Sequence, residues 1–329
     1  IIGGNFTQRG EASLIDKWTK AEMALSNGVD LVIELPTLYA TSSAENFAEG
    51  AIKILSSLKL VDNLAFGAET DNINKLNILA NTLYKEPKAY KLLLTEELEK
   101  GISFPKAREN ALVKYLNDKS YSVILNEPNN ILAIEYLKAL KKYKVDINPI
   151  LIPRKKSGHL NNDYTGQISS ASAIRNMIKT NRTKNLKNTL TPSSYTILVD
   201  EINKGHFVPD FSLFEKTIIY KLRSMNIEEI KKISYVSEGL ENTIKKAAMS
   251  CNNLEDFINI ASSKRYTKTR LQRILLHSLL DITKRDIMLS KKTVPYARIL
   301  GFNDKGKKLL SNISKKNPNL EIVTSVKKF

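Results

Sequence analysis

The sequence is poor in the residues that build covalent or metallic frameworks. It has one cysteine, Cys251, and three histidines, His159, His206 and His277. One thiol cannot form an internal disulfide, and these residues give no Cys/His metal cluster, so neither a secreted disulfide scaffold nor a structural zinc is expected. No apolar run approaches the ~18 to 20 residues that cross a bilayer, and no stretch reads as a signal peptide. A cytoplasmic protein with no membrane partner is the expectation. Aromatics are also sparse, with a single tryptophan, Trp18.

What is present is an ordinary globular balance, 42% hydrophobic and 26% charged over 329 residues, enough for two domains with cores. The charge is uneven. Residues 181–329 hold 28 of the 51 Lys and Arg but 14 of the 34 Asp and Glu, so they carry +14 of the net +17. Such asymmetry fits a phosphate-backbone partner. Lysine-rich solvated helices account for it equally well.

The opening, Gly3-Gly4-Asn5-Phe6-Thr7-Gln8-Arg9-Gly10-Glu11, follows an apolar pair and precedes a helical pattern over residues 12–27, then the apolar run Val29–Leu35. Strand end, loop, helix and strand make one βαβ unit of a parallel sheet. Ligands in such sheets bind beyond the carboxyl ends of the strands, which makes Asn5, Gln8, Arg9 and Glu11 a substrate-loop candidate. Trp18, on the apolar side of the helical pattern, is expected in the core.

Further along, Thr37–Ala44 reads as a loop, Glu45–Leu58 as a helix, and Asn63–Phe66 as a strand running into Gly67-Ala68-Glu69. Glycine at a strand end allows a ligand close to the backbone. Ser122–Leu125 reads as another strand, ended by the loop Asn126–Asn130, and Asn148–Pro153 as one more, ending at Arg154. Asn129 and Asn130 offer amide groups to a nucleotide, with helix capping as the competing role. Ser169 and Ser170 open a helix that carries Arg175 one turn in, a combination of amides, hydroxyls and guanidinium suited to an anion.

From Asn181 onward the pattern is helical. Lys264, Arg265, Tyr266, Lys268, Arg270 and Arg273 crowd one helix start, and basic residues around an aromatic suit RNA, with Tyr266 either stacking on a base or packing in the core. Arg298 lies further on, in Tyr296-Ala297-Arg298-Ile299-Leu300-Gly301-Phe302.

Several strings in fixed order resemble one family: Gly4–Glu11, Asp16-Lys17-Trp18, Gly28–Pro36, Phe66–Glu69, Pro128–Leu132, Ser237–Asn242 and Lys264–Thr267. The family is the bacterial tRNA(Met) cytidine acetate ligases of the nucleotidylyltransferase superfamily. The resemblance implies an α/β, parallel-sheet, Rossmann-type domain over residues 1–184 and a basic helical tRNA-binding domain over 185–329. It implies an ATP-dependent ligase that forms acetyl-adenylate and acetylates the exocyclic amine of the wobble cytidine of elongator tRNA(Met). ATP with Mg²⁺ is the implied cofactor, with no zinc or redox group.

Gly67, Asn129, Asn130, Arg154, Ser169, Ser170 and Arg175 are the implied ATP contacts. Lys17 and Arg175 are the implied catalytic cations, and the 264–273 segment with Arg298 the tRNA surface. Ile168–Arg175 departs from the superfamily's Ile-Ser-Ser-Thr-x-Ile-Arg signature by one extra residue. The family's His-x-Gly-His is not among the 329 residues and is expected upstream of Ile1, so the chain as given is expected to turn over poorly. An adenylyltransferase acting on a small phosphate ester and a non-catalytic tRNA-binding protein are the alternatives.

Overall fold

The computed structural model describes residues 1–154, 169–180, 182–208, 210–293 and 296–325. Residues 155–168, including Ile168 and His159, lie outside that description.

Strand β1 (Ile2–Gly3) leads through the loop to helix α1 (Lys17–Ser26), which Asp16 caps by accepting from the Thr19 amide at 2.8 Å. Strand β2 (Leu31–Leu35) follows and pairs parallel with β1, Ile2 opposite Glu34. This is the βαβ unit that the spacing predicts. The helix is shorter than the pattern, because residues 12–16 fold back along the loop: Phe6 bridges Ala12, and the Ser13 amide donates to the Asn5 carbonyl.

Helices α2 (Thr37–Ala40) and α3 (Ala44–Ser57) come next, then β3 (Asn63–Ala68), α4 (Ile73–Lys85), α5 (Lys88–Glu99), α6 (Phe104–Leu116), α7 (Ser120–Leu125), α8 (Pro128–Tyr143) and β4 (Asn148–Pro153). β3 and β4 form a separate parallel pair.

Two local expectations fail here. Thr37–Ala40 is helical rather than loop. Ser122–Leu125 belongs to a helix, not a strand, and Asn126 is its cap. Tyr121, Ile124 and Leu125 are all buried, which is helical spacing, and a four-residue apolar run cannot by itself separate the two periods.

Helices α9 (Ala171–Lys179) and α10 (Pro192–Asn203) pack around Leu186 and Leu198 with Ile15 from the opening segment. A helical part follows: α11 (Glu215–Ser224), α12 (Ile227–Lys232), α13 (Leu240–Ser250), α14 (Leu254–Ala261), α15 (Lys268–Leu279) and α16 (Lys284–Lys292). Its own core includes Ile218, Leu222, Leu240, Ile244, Phe257 and Leu271.

The chain then returns to the first sheet. Strand β5 (Ala297–Phe302) pairs antiparallel with β2, Arg298 opposite Glu34, helix α17 (Asp304–Lys316) packs beside it, and β6 (Ile322–Val323) runs parallel to β5. The sheet order is β1-β2-β5-β6, so it is mixed at β2–β5. A division at 184/185 therefore leaves β5 and β6 with the helices in sequence but with the sheet in space.

Candidate active site

The opening loop is a small hairpin held from three sides. Thr7 donates to the Glu11 carbonyl and Gly10 to that of Thr7. Asn5 Oδ1 accepts from the Lys17 amide at 3.0 Å, tying the loop to the start of α1. The Phe6 ring lies 6.0 Å from that of Phe214, and Gly10 rests on the backbone of α15.

Beneath the loop, Lys20 Nζ donates to the Gly3 and Gly4 carbonyls and to Ser13 Oγ at 2.5–2.9 Å. Burial brings its pKa down to about 8. In the sequence Lys20 is no more than a polar spacer of the helical pattern.

Glu34 likewise has no role at the level of sequence motifs. Its carboxylate, buried at the end of β2, accepts from Lys17 Nζ at 2.9 and 3.0 Å and pairs with Arg298 Nε at 3.3 Å. A signal for it exists: an acid within Val32-Ile33-Glu34-Leu35 is buried by its neighbours, and a buried carboxylate requires cations. Lys17 is thus ion-paired, and Arg298 sits at the sheet rather than with the basic helix. Trp18 is not in the core. It is 47% exposed, with Lys17 Nζ and the Arg298 guanidinium each 5.7 Å from its ring.

The loop, through Gly10 and Glu11, and α9, through Ser172 and Arg175, face the helical part across one cavity of about 660 Å³, lined there by α11 (Glu215), α14 (Glu255 and Ile258) and α15 (Lys268 and Gln272). Arg175 pairs with Glu11 at 3.1 Å, both partly exposed. Ser170 caps α9 by accepting from the Ala173 amide at 3.0 Å, next to Ser169. Gln8 is half-buried and Arg9 exposed on the same loop.

A second group lies at the ends of β3 and β4. Glu69 accepts from Asn129 Nδ2 at 2.5 Å and from the Asn130 amide at 2.8 Å; Asn130 Oδ1 in turn accepts from the Glu69 and Thr70 amides at 2.8 and 3.0 Å. Asn130 is buried, and its amide nitrogen donates to the Ile124 carbonyl. It locks the strand-end loop onto α8. Gly67 is exposed, and Arg154 crosses over it with its backbone amide on the Ala68 carbonyl. None of this group lines the cavity of Glu11 and Arg175.

The basic segment divides. Lys264, Arg265 and Lys268 are exposed. Arg270 turns inward, donating twice to the Tyr235 carbonyl at 2.7 and 3.0 Å, and Arg273 lies 5.3 Å over the Tyr235 ring. Tyr266 packs half-buried on the helical core between Arg265 and Arg270.

A model of the HIGH nucleotidyl transferase family matches residues 1–329, the whole chain. The chain is 46% identical over its full length to the tRNA(Met) cytidine acetate ligase of Caldanaerobacter subterraneus subsp. tengcongensis, spanning 81% of that protein. It is 42% identical to the enzyme of the same name from Clostridium perfringens, spanning 82% of it. The chain belongs to the tRNA(Met) cytidine acetate ligase family.

Among solved structures, Thermotoga maritima TmcAL without ligand superposes with a TM-score of 0.94 at 36% identity, covering 98% of this chain and 78% of that one. The same protein bound with alpha-thio ATP gives 0.91 at 36%, covering 98% and 77%. The α/β architecture with its helical part is therefore the family fold. Most of the strings that carry the resemblance map onto the geometry above: Gly4–Glu11 is the three-sided loop, Phe66–Glu69 and Pro128–Leu132 the interlocked strand ends, and Lys264–Thr267 the approach to α15.

Proposed function

We propose that this ligase activates acetate with ATP and passes the acetyl group to the exocyclic amine of the wobble cytidine of elongator tRNA(Met). The observation that carries the reading is the shared cavity, where the opening loop and the Arg175-bearing helix α9 meet helices α11, α14 and α15 of the helical part. An acyl-adenylate and an RNA base must meet at such a place.

In the first step an acetate oxygen bonds to the α-phosphorus as the bond to pyrophosphate breaks. In the second, the amine nitrogen attacks the acetyl carbonyl carbon, AMP leaves, and the nitrogen gives up a proton. Acetate is a weak nucleophile, so the site must align it and offset phosphate charge.

Gly67 leaves the β3 edge open for the nucleotide, with Arg154 beside it; Asn129 and Asn130 hold that loop in shape. Arg175, released from Glu11, serves the phosphates together with the Ser169–Ser170 helix start. Lys17 acts through Glu34, holding the start of α1 against Asn5. Mg²⁺ would accompany ATP and offset part of its phosphate charge. The cytoplasm is the proposed compartment.

Incubation of the complete protein with labelled acetate, ATP and elongator tRNA(Met) tests the reading. Acetate-dependent ATP–pyrophosphate exchange with label in N4-acetylcytidine is expected. Exchange that depends instead on a phosphate ester would favour the adenylyltransferase alternative, and tRNA binding without exchange the non-catalytic one.

A further inference from the structure

Trp18 is the one tryptophan of the chain, and the structure leaves nearly half of it in water. It is the second residue of α1, a helix whose start is tied to the substrate loop through Asn5 and the Lys17 amide. Lys17 and Arg298 stand 5.7 Å from its ring, and both are anchored on the buried carboxylate of Glu34. Arg298 is the second residue of β5 and lies opposite Glu34. Because β5 runs antiparallel to β2, this start of β5 lies at the carboxyl end of β2, the end that carries Glu34.

A bulky apolar surface in water is costly unless something covers it, and this one is rigid, aromatic and ringed by cations that are themselves held in place. An unpaired nucleobase matches it: a flat π face covers the indole while its phosphates meet Lys17 and Arg298. Bases inside a duplex are stacked on one another and cannot reach such a plate.

We infer that Trp18, with Lys17 and Arg298 beside it, is a stacking plate for an unpaired base of the RNA substrate, next to the acyl-transfer loop. The inference rests on the tRNA reading above and adds a contact outside the basic helix.

The single tryptophan makes its own fluorescence the probe. The full chain is titrated with a hairpin RNA carrying cytidine in its loop, with a duplex RNA of equal length, and with ATP, while hairpin affinity is measured separately by fluorescence anisotropy of a labelled RNA. Saturable quenching by the hairpin alone is expected. Trp18→Ala should bind the hairpin roughly tenfold more weakly or worse, Trp18→Phe should retain most of the affinity, and acetate-dependent ATP–pyrophosphate exchange should be unchanged in both.

Quenching by ATP alone would mean that the plate takes the nucleotide's adenine, and equal quenching by the duplex that it reads no unpaired base; either overturns the inference. A hairpin that binds with unchanged fluorescence and unaltered Trp18→Ala affinity removes the plate and leaves the tRNA reading intact. Failure of the hairpin to bind at all, by either measurement, takes both away.

Discussion

Gly10 lies directly against the backbone of Gln272: a β-carbon on Gly10 would stand 2.6 Å from the Gln272 carbonyl carbon. The opening loop and helix α15, 262 positions apart in sequence, thus touch main chain to main chain. The φ of Gly10 is +81°, a region that other residues enter only with strain. Gly10→Ala should therefore lower the melting temperature, with strain and overlap costing about 1–3 kcal/mol, and should weaken acetyl transfer more than any other change of similar size in the loop. Differential scanning calorimetry and the acetylation assay check this; unchanged values in both would mean that the loop does not dock on α15 in solution.

The helical part also meets the sheet side at an acid-sensitive point. His277 is fully buried, with Nε2 2.9 Å from Thr41 Oγ1 and Nδ1 hydrogen-bonded to Ser234 Oγ. Thr41 commits its own hydroxyl hydrogen to the Thr37 carbonyl, so Nε2–H donates, and because burial keeps the ring neutral Nδ1 accepts from Ser234. Burial lowers its pKa from 6.5 to about 4. The unfolded chain takes up a proton below pH 6.5 that the folded chain refuses, so the stability from this group is complete above 6.5 and declines as the pH falls toward 4, by on the order of 3 kcal/mol. Denaturant melts at several pH values should show the decline, and His277→Gln should flatten it.

The cations of the 264–273 segment should separate by mutation. Replacing Lys264, Arg265 and Lys268 by Ala should reduce tRNA affinity without changing stability. Its salt dependence should flatten by a slope of about 0.7 for each phosphate no longer neutralised, if the RNA bound there is single-stranded. Arg270→Ala should instead destabilise the fold, since it strips two charge-assisted hydrogen bonds from the Tyr235 carbonyl. Equal behaviour of the two variants in filter binding and thermal melts would contradict the division.

Arg154 and Arg175 are exposed or partly exposed, so their removal should spare the fold. In the complete protein, Arg154→Ala and Arg175→Ala are each expected to slow acetate-dependent ATP–pyrophosphate exchange by about tenfold or more, the value of one charge-assisted hydrogen bond to phosphate. Wild-type exchange in both variants would remove them from the nucleotide site.

Breaking the Glu34 cluster should act on stability first. Lys17→Ala strips the Lys17 hydrogen bonds from the buried Glu34 carboxylate while Arg298 stays paired with it, and losing a hydrogen bond to a charged group costs roughly 1.5–3 kcal/mol. Glu34→Gln with Lys17→Met, which removes both charges of the pair, should recover part of that stability in thermal melts.

Local pattern determined a good deal of this protein. The βαβ opening, strands β2, β3 and β4, the helical run from α10 to α15 and the position of Arg175 one turn into α9 all follow from periodicity and caps, because each depends on neighbours within one or two turns. The order of the motif strings identified the family. Tertiary structure decided what each charge does. Lys17 and Arg298 are drawn to Glu34 because burying that acid demands cations from wherever the fold can bring them, even across 264 positions. Arg270 and Arg273 turn inward because Tyr235 presents a carbonyl and a ring beneath α15. Trp18 faces water although its helix is amphipathic, since the side that the sheet covers is fixed by β5, a strand added from the far end of the chain. Which residues of a periodic face are buried depends on what arrives to cover them, and that partner is not written in the local sequence.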